Sequence, residues 1–434
     1  MPSFNFVSNL NFFMTRNPVL ATIITIGDEL LIGQTIDTNS AWMAQELNKI
    51  GIGVHRRVAV GDIWKDIWQS LDEEIKLSDI VLITGGLGPT ADDITKPLLC
   101  QYFGGKLVVN EEALANVKHL FENVFKRPLI ERNLKQAEVP STCQVFQNKR
   151  GTAPGMWFEK DGKVIISMPG VPHEMKGMMS STILPTLQER VQLDPIVHRT
   201  LLTAGIGESF LAERIQEFET TLPSNIKLAY LPNYGMVKIR LSATGNDPKT
   251  IAELEALFDM LKQQVSDVMV ADEDISLSEA IGRILTRSKK TMGTAESCTG
   301  GYIAHLITSV PSSSNYFKGS IIGYANDVKE NVLHVSHNTL NNNGAVSEET
   351  VIQMIQGALR SLRTDYVLAT SGIMGPDGGT AEKPVGTVWV AVGNQEKVRT
   401  HQFHFRFDRM RNIEMTATNS LNMLRKFILE NESN

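Results

Sequence analysis

The strongest constraint on this chain is a repeated pairing. A short apolar, β-branched run stops on a glycine-bearing polar loop, and a helical pattern follows. Val19 to Ile26 is such a run and ends at Gly27-Asp28-Glu29-Leu30-Leu31-Ile32-Gly33. Ile80 to Thr84 repeats the form and feeds Gly85-Gly86-Leu87-Gly88, and Val164 to Ser167 leads into Met168-Pro169-Gly170-Val171-Pro172. Between them, Met43, Leu47 and Ile50 share a helix face, with Ser40 expected as its cap and Gly51 as its stop. Ile67, Leu71 and Ile75 recur at four-residue spacing. Runs that are apolar on both faces suit parallel strands covered by helices. Val19 to about Arg190 therefore predicts an α/β, doubly wound parallel sheet whose ligands bind beyond the carboxyl ends of the strands.

At 434 residues the chain exceeds one usual core, so two or three domains are expected. A net charge of -6 with 21% charged residues offers no basic footprint for nucleic acid, so small molecules are the expected partners. No apolar run reaches the length of a membrane span. Cys100, Cys143 and Cys298 are odd in number and widely spaced, which suits a reducing cytoplasm better than a disulfide framework. Residues 1–17 carry Phe4, Phe6, Phe12 and Phe13 among Asn and Ser and lack a signal-peptide pattern. They are expected to be a disordered extension, with the functional chain starting at Met14.

The first domain is expected over residues 18–190. From Val197 to Asp272 the pattern changes to strands around Lys227 to Tyr230 and Val237 to Ala243 and a helix from Pro248 to Val265. A small α+β module over residues 191–272 is expected, with Ala271-Asp272-Glu273-Asp274 as an acidic linker into a third α/β domain, residues 273–434.

In that last domain Ser276 opens a capping-box spacing before an apolar face of Leu277, Ile281, Ile284 and Leu285. A short strand, Thr291 to Ala295, then meets Glu296-Ser297-Cys298-Thr299-Gly300-Gly301. Two hydroxyls, a thiol and two glycines at a strand-to-helix turn make a place to hold an anion. The bland reading, a glycine-rich turn with cap residues, has about even odds on this stretch alone, because short motifs match many chains by chance. Further along, Phe317 to Tyr324 reads as a strand, Ser347 as the cap of the helix Glu348 to Leu362, and Tyr366 to Thr370 as a buried strand ending in Ser371-Gly372-Ile373-Met374-Gly375.

Two family resemblances rest on these residues. Gly27-Asp28-Glu29-Leu30-Leu31, Asp37-Thr38-Asn39-Ser40, Gly61-Asp62, Gly85 to Thr95 and Met168 to Pro172 resemble the molybdopterin-binding, MoaB/MogA-like fold in its CinA form. That resemblance implies a metal-dependent ADP-ribose pyrophosphatase. Its nucleotide and metal site would comprise Asp28, Asp62, Gly85, Gly86, Gly88 and Asp93, with Asp62 and Asp93 as the leading ligands of a divalent ion. Ala295 to Gly301, Gly344 to Glu348, Ser371 to Gly379 and Lys383 to Trp389 resemble the C-terminal, PncC-like domain of the CinA family. This implies a nicotinamide mononucleotide deamidase that needs no cofactor. The middle module would be KH-like, although the acidic chain argues against RNA. A homodimer is implied by the resemblance alone.

Deamidation requires a nucleophile, a base and a site for the developing oxyanion. Ser297 is assigned as nucleophile, Lys329 as its base, Tyr324 as a proton relay and Ser371 as a group that binds the substrate or oxyanion. Glu296, Thr299, Gly300, Gly301 and Gly375 are expected to line the substrate, and Arg409 matches the arginine that holds the nucleotide phosphate in the family. Cys298 stays open as the alternative nucleophile, at about one chance in three, because no histidine in the motifs is placed to pair with it. Met374 and Phe407 depart from the family pattern. Two other functions remain in competition: ADP-ribose hydrolysis as the main activity, and a nucleotide-binding regulatory protein without turnover.

Overall fold

The structure is a computed structural model, and it describes residues 19–90, 92–190, 196–245 and 247–432. The expected extension over residues 1–17 lies outside the described residues. The chain forms two compact units. The first runs to Val197 and includes Thr244–Pro248, and the second comprises His198–Ala243 and the chain from Lys249 onward.

The first unit is built on a six-stranded sheet. Gly53–Val60, Leu20–Ile26, Ile80–Thr84 and Lys163–Met168 lie side by side and parallel. Alternation along Leu20–Ile26 explains its composition. Ala21 and Ile23 join a core with Met43 and Leu47 of the helix Thr38–Lys49, whereas Ile24 and Ile26 join another with Ile67 and Leu71 of Trp64–Leu77. A strand covered on both sides can keep few polar residues. Thr22 is one, and its hydroxyl donates to the buried Glu74 carboxylate at 3.0 Å.

The doubly wound parallel sheet carries two antiparallel strands at one edge, Gly155–Lys160 and Gln144–Phe146. Asp161-Gly162 is the reason. Both residues have left-handed φ, 51° and 75°, and a two-residue turn of this kind can join only antiparallel strands. The expected cap needs correction. Asp37, not Ser40, caps Thr38–Lys49, its carboxylate accepting from the Ser40 N–H at 2.9 Å, and Ser40 is buried in the first turn.

In the second unit the middle strands form a four-stranded sheet with Pro248–Gln264 as the longest helix of this module. The module shares its interior with the C-terminal domain. Leu202 packs in one core with Leu277, Ile281, Leu421 and Phe427. The C-terminal sheet has the order Phe317–Ile322, Met292–Glu296, Tyr366–Gly372, Thr387–Gly393, Val398–His404. Its first three strands are parallel and its last two antiparallel. Ser276 and Ser347 cap their helices as expected, accepting from the N–H groups of Glu279 and Thr350. No described helix is long and apolar enough to cross a membrane.

Candidate functional site

The carboxyl ends of the parallel C-terminal strands converge on a cavity of about 190 Å³. Met292–Glu296 delivers Ser297 and Cys298 to it, Tyr366–Gly372 delivers Ser371 and Gly372, and the segment after Phe317–Ile322 delivers Tyr324, Asn326 and Lys329. Arg409 closes one side. Ser297 is fixed by its main chain, its N–H donating to the Thr370 carbonyl at 3.0 Å and its carbonyl accepting from the Gly300 N–H at 3.1 Å.

Lys329 is 1% exposed, and its ammonium donates to the Tyr324 carbonyl at 3.0 Å. Burial holds its pKa below the ordinary value of 10.5, opposed by attraction to Cys298. Among the described residues no carboxylate lines this cavity. Cys298 is buried as well, and burial pushes its thiol up to about 12, so it stays protonated at neutral pH. Ser297 lines the same cavity as Lys329, as does Cys298.

Several expected site residues do something else. Glu296 is fully buried and does not line the cavity. Its carboxylate accepts from the N–H groups of Gly301 at 3.0 Å, Ile303 at 3.1 Å and Ala304 at 2.8 Å, and from the Thr299 hydroxyl at 2.8 Å. The anion held at this helix N-terminus is the chain's own side chain. Thr299 is engaged in the same network. Gly300 and Gly301 take φ of 59° and 95° to make the turn, and a Cβ on Gly301 would stand 3.0 Å from Ile322. Tyr324 does not bridge Ser297 and Lys329; its hydroxyl accepts from Arg409 at 3.1 Å. The Ser371 hydroxyl donates to the Ala345 carbonyl at 2.7 Å, so its proton is committed to the neighbouring loop. Gly375 contributes its carbonyl, which accepts from Arg409 at 2.8 Å.

Sequence reasoning missed Asn326, Ala345 and Val346 in the lining. Tyr324-Ala325-Asn326, read as one segment, held the signal for the first. It also missed Asn412, whose buried amide donates to the carbonyls of Met374 and Phe407, both at 3.0 Å. Met374 lies against Cys298 in a small apolar cluster and forms one wall.

The first unit carries a larger cavity, about 550 Å³, at the carboxyl ends of its own parallel strands. Asp28, Asp62 and Asp93 do not converge into an ion site. Asp93 accepts from the N–H groups of Gly88 at 2.7 Å and Thr90 at 2.8 Å and from the Thr90 hydroxyl, so it is turned onto its own loop. Asp28 and Asp62 exchange hydrogen bonds through each other's N–H. Burial raises the Asp62 carboxyl above its ordinary range; repulsion from Asp28, Glu29 and Asp92 adds to the rise, and the bond from the Asp28 N–H opposes it. Among the described residues no group of three or more His, Cys, Asp or Glu is gathered as a metal site.

Gly85 and Gly86 serve close approach. Both have positive φ, and a Cβ on Gly85 would lie 2.1 Å from the Ile26 carbonyl oxygen. A Cβ on Gly88 would meet the Asp93 carboxylate at 2.5 Å. Glu174, half-buried, lines this cavity; burial raises its carboxyl, which accepts from Asn148 at 2.6 Å. Asn39, in the first turn of Thr38–Lys49, ties that helix to the loop after Lys163–Met168 by donating to the Gly170 carbonyl at 2.7 Å.

These features define a chain in which two α/β folds are separated in sequence by a small α+β module. Residues 22–189 match the family described as a probable molybdopterin binding domain, residues 198–270 the damage-inducible protein CinA KH domain, and residues 274–428 the CinA C-terminal domain. A CinA-like protein of Flavobacterium psychrophilum is 46% identical, covering 95% of this chain and 99% of its own. One from Cytophaga hutchinsonii is 45% identical over the same shares. The chain belongs to the CinA family. Among solved structures, a competence/damage inducible protein from Agrobacterium tumefaciens is 38% identical over 35% of this chain and 92% of its own, with a TM-score of 0.34.

Proposed function

We propose that the C-terminal cavity hydrolyses the carboxamide of nicotinamide mononucleotide, releasing ammonia and nicotinic acid mononucleotide. The observation that carries this reading is Lys329: a lysine 1% exposed, without a carboxylate partner in its cavity, lining the same space as Ser297. A desolvated amine can be neutral near physiological pH and so act as a base.

In this reading neutral Lys329 takes the Ser297 proton as Oγ bonds to the amide carbon, and the carbonyl electron pair moves to oxygen. The pair returns as the C–N bond breaks, and the proton on Lys329 leaves with ammonia. Water then attacks the acyl-serine ester, with Lys329 again accepting a proton, and Ser297 is regenerated as the carboxylate product departs. Arg409, whose planar guanidinium faces the mouth of the cavity, suits the nucleotide phosphate. Ammonia release from nicotinamide mononucleotide tests this directly. Activity that persists in EDTA and in Cys298→Ala and is lost in Ser297→Ala and Lys329→Ala supports it; an inactive wild type overturns it.

For the N-terminal cavity we infer binding of an ADP-ribose-sized nucleotide, supported by its volume of about 550 Å³ and its glycine-rich floor. Calorimetry with ADP-ribose, with and without magnesium, tests the binding; no heat in either condition overturns it.

A further inference from the structure

The hairpin of the middle module ends at Tyr234-Gly235, between the strands Ile226–Asn233 and Met236–Thr244. Gly235 takes φ of 69°, and its carbonyl accepts from the Gly205 N–H at 3.2 Å, which fixes the tip. A Cβ there would stand 3.4 to 3.8 Å from Thr418, Asn419 and Met415, so the tip rests on the last helix, Arg409–Glu432. The Tyr234 ring, beside it, lies 5.4 Å from the Arg411 guanidinium. The same guanidinium lies 4.4 Å from the ring of Phe407. Both distances are within reach of cation–π attraction.

Arg409 stands between Phe407 and Arg411 in sequence, and its own guanidinium is at the cavity mouth on the Gly375 carbonyl and the Tyr324 hydroxyl. On the inner side this turn is held by Asn412, which accepts from the Phe407 N–H at 3.2 Å and donates to the carbonyls of Phe407 and Met374. On the outer side Arg411 links it to Tyr234. Asp408 completes the turn by accepting from the Arg411 N–H at 3.0 Å.

We infer that Tyr234 of the middle module is a positioning residue for Arg409, acting through Arg411 and Phe407 to hold the turn from which the guanidinium reaches the cavity. This makes the KH-like module part of the apparatus that selects a phosphorylated substrate. The inference rests on the deamidase reading of the C-terminal cavity. Tyr234 does not touch the cavity, so its effect falls on recognition of the phosphate, before the bond-breaking step.

The test is steady-state ammonia release from nicotinamide mononucleotide by the full chain. Tyr234→Ala raises KM about three-fold and Arg411→Ala, which loses both ring contacts, about ten-fold, the scale of one and two exposed cation–π contacts. In both, kcat stays within about two-fold, and Tyr234→Phe, which keeps the ring, restores the wild-type KM. An unchanged KM in Tyr234→Ala, a fall in kcat with KM unchanged, or failure of Tyr234→Phe to rescue overturns the positioning role while the deamidase reading stands. A wild type that releases no ammonia overturns the deamidase reading, and the positioning role with it.

Discussion

The C-terminal cavity places a buried cation, Lys329, among hydroxyls, main-chain groups and apolar walls. The N-terminal cavity is lined by Glu29, Asp37, Asp62, Asp92, Asp93 and Glu174 and, among the described residues, by no Lys, Arg or His. In the first, one ammonium is removed from water with no carboxylate in the cavity lining, and burial holds its pKa below the ordinary value. In the second, several like charges are tolerated because main-chain N–H groups hold them, as at Asp93, or because they stay partly hydrated.

The largest expected effect falls on the isolated side of that contrast. Ser297→Ala lowers kcat for ammonia release about a thousandfold or more, whereas Cys298→Ala, removing a thiol that is protonated at neutral pH, leaves most of it. Equal losses in both would break the argument from burial. Next comes Glu296→Ala, which strips the acceptor from three N–H groups and destabilises the second unit by about 3–5 kcal/mol in urea unfolding. Gly85→Ala, with a Cβ forced against the Ile26 carbonyl, costs about 2–3 kcal/mol. Gly300→Ala has the same backbone sign but nothing within 4 Å of the added atom, so it costs only about 1 kcal/mol.

A pH series sharpens the comparison further. The folded-state pKa of Lys329 lies below 10.5, so between the two values the unfolded chain holds the extra proton and stability rises with pH. Wild type should therefore be less stable than Lys329→Met at neutral pH, and the gap in melting temperature should close as pH approaches 10.5. The rate of ammonia release rises in parallel, up to about tenfold per pH unit, until Lys329 is neutral. A rate that falls as pH rises toward 10.5 would remove Lys329 as the base.

Much of the architecture was legible because it is local. Ser276 and Ser347 cap the helices they precede, and the β-branched runs became strands at the expected places. The hairpin at Asp161-Gly162 was equally local, and recognising its turn residues would have revealed the antiparallel edge. The site was harder to read. Ser297 and Lys329 do line one cavity, but the glycine and hydroxyl pattern around Glu296 reads the same whether the anion at the helix terminus is a ligand or the chain's own carboxylate. Nothing local tells Tyr324 that its hydroxyl meets an arginine 85 positions later. Asn412, inside a helix with no motif around it, gives no signal of the three main-chain groups it secures.

Leu202, packed with Leu277, Leu421 and Phe427, has a consequence for how this protein can be divided. Sequence families separate the chain near Asp274, yet a polypeptide starting there would leave a gap in the wall of its own interior where that leucine belongs. The border drawn by homology therefore cuts through a shared core. The smallest piece expected to unfold as one transition is longer than the smallest piece with a family of its own.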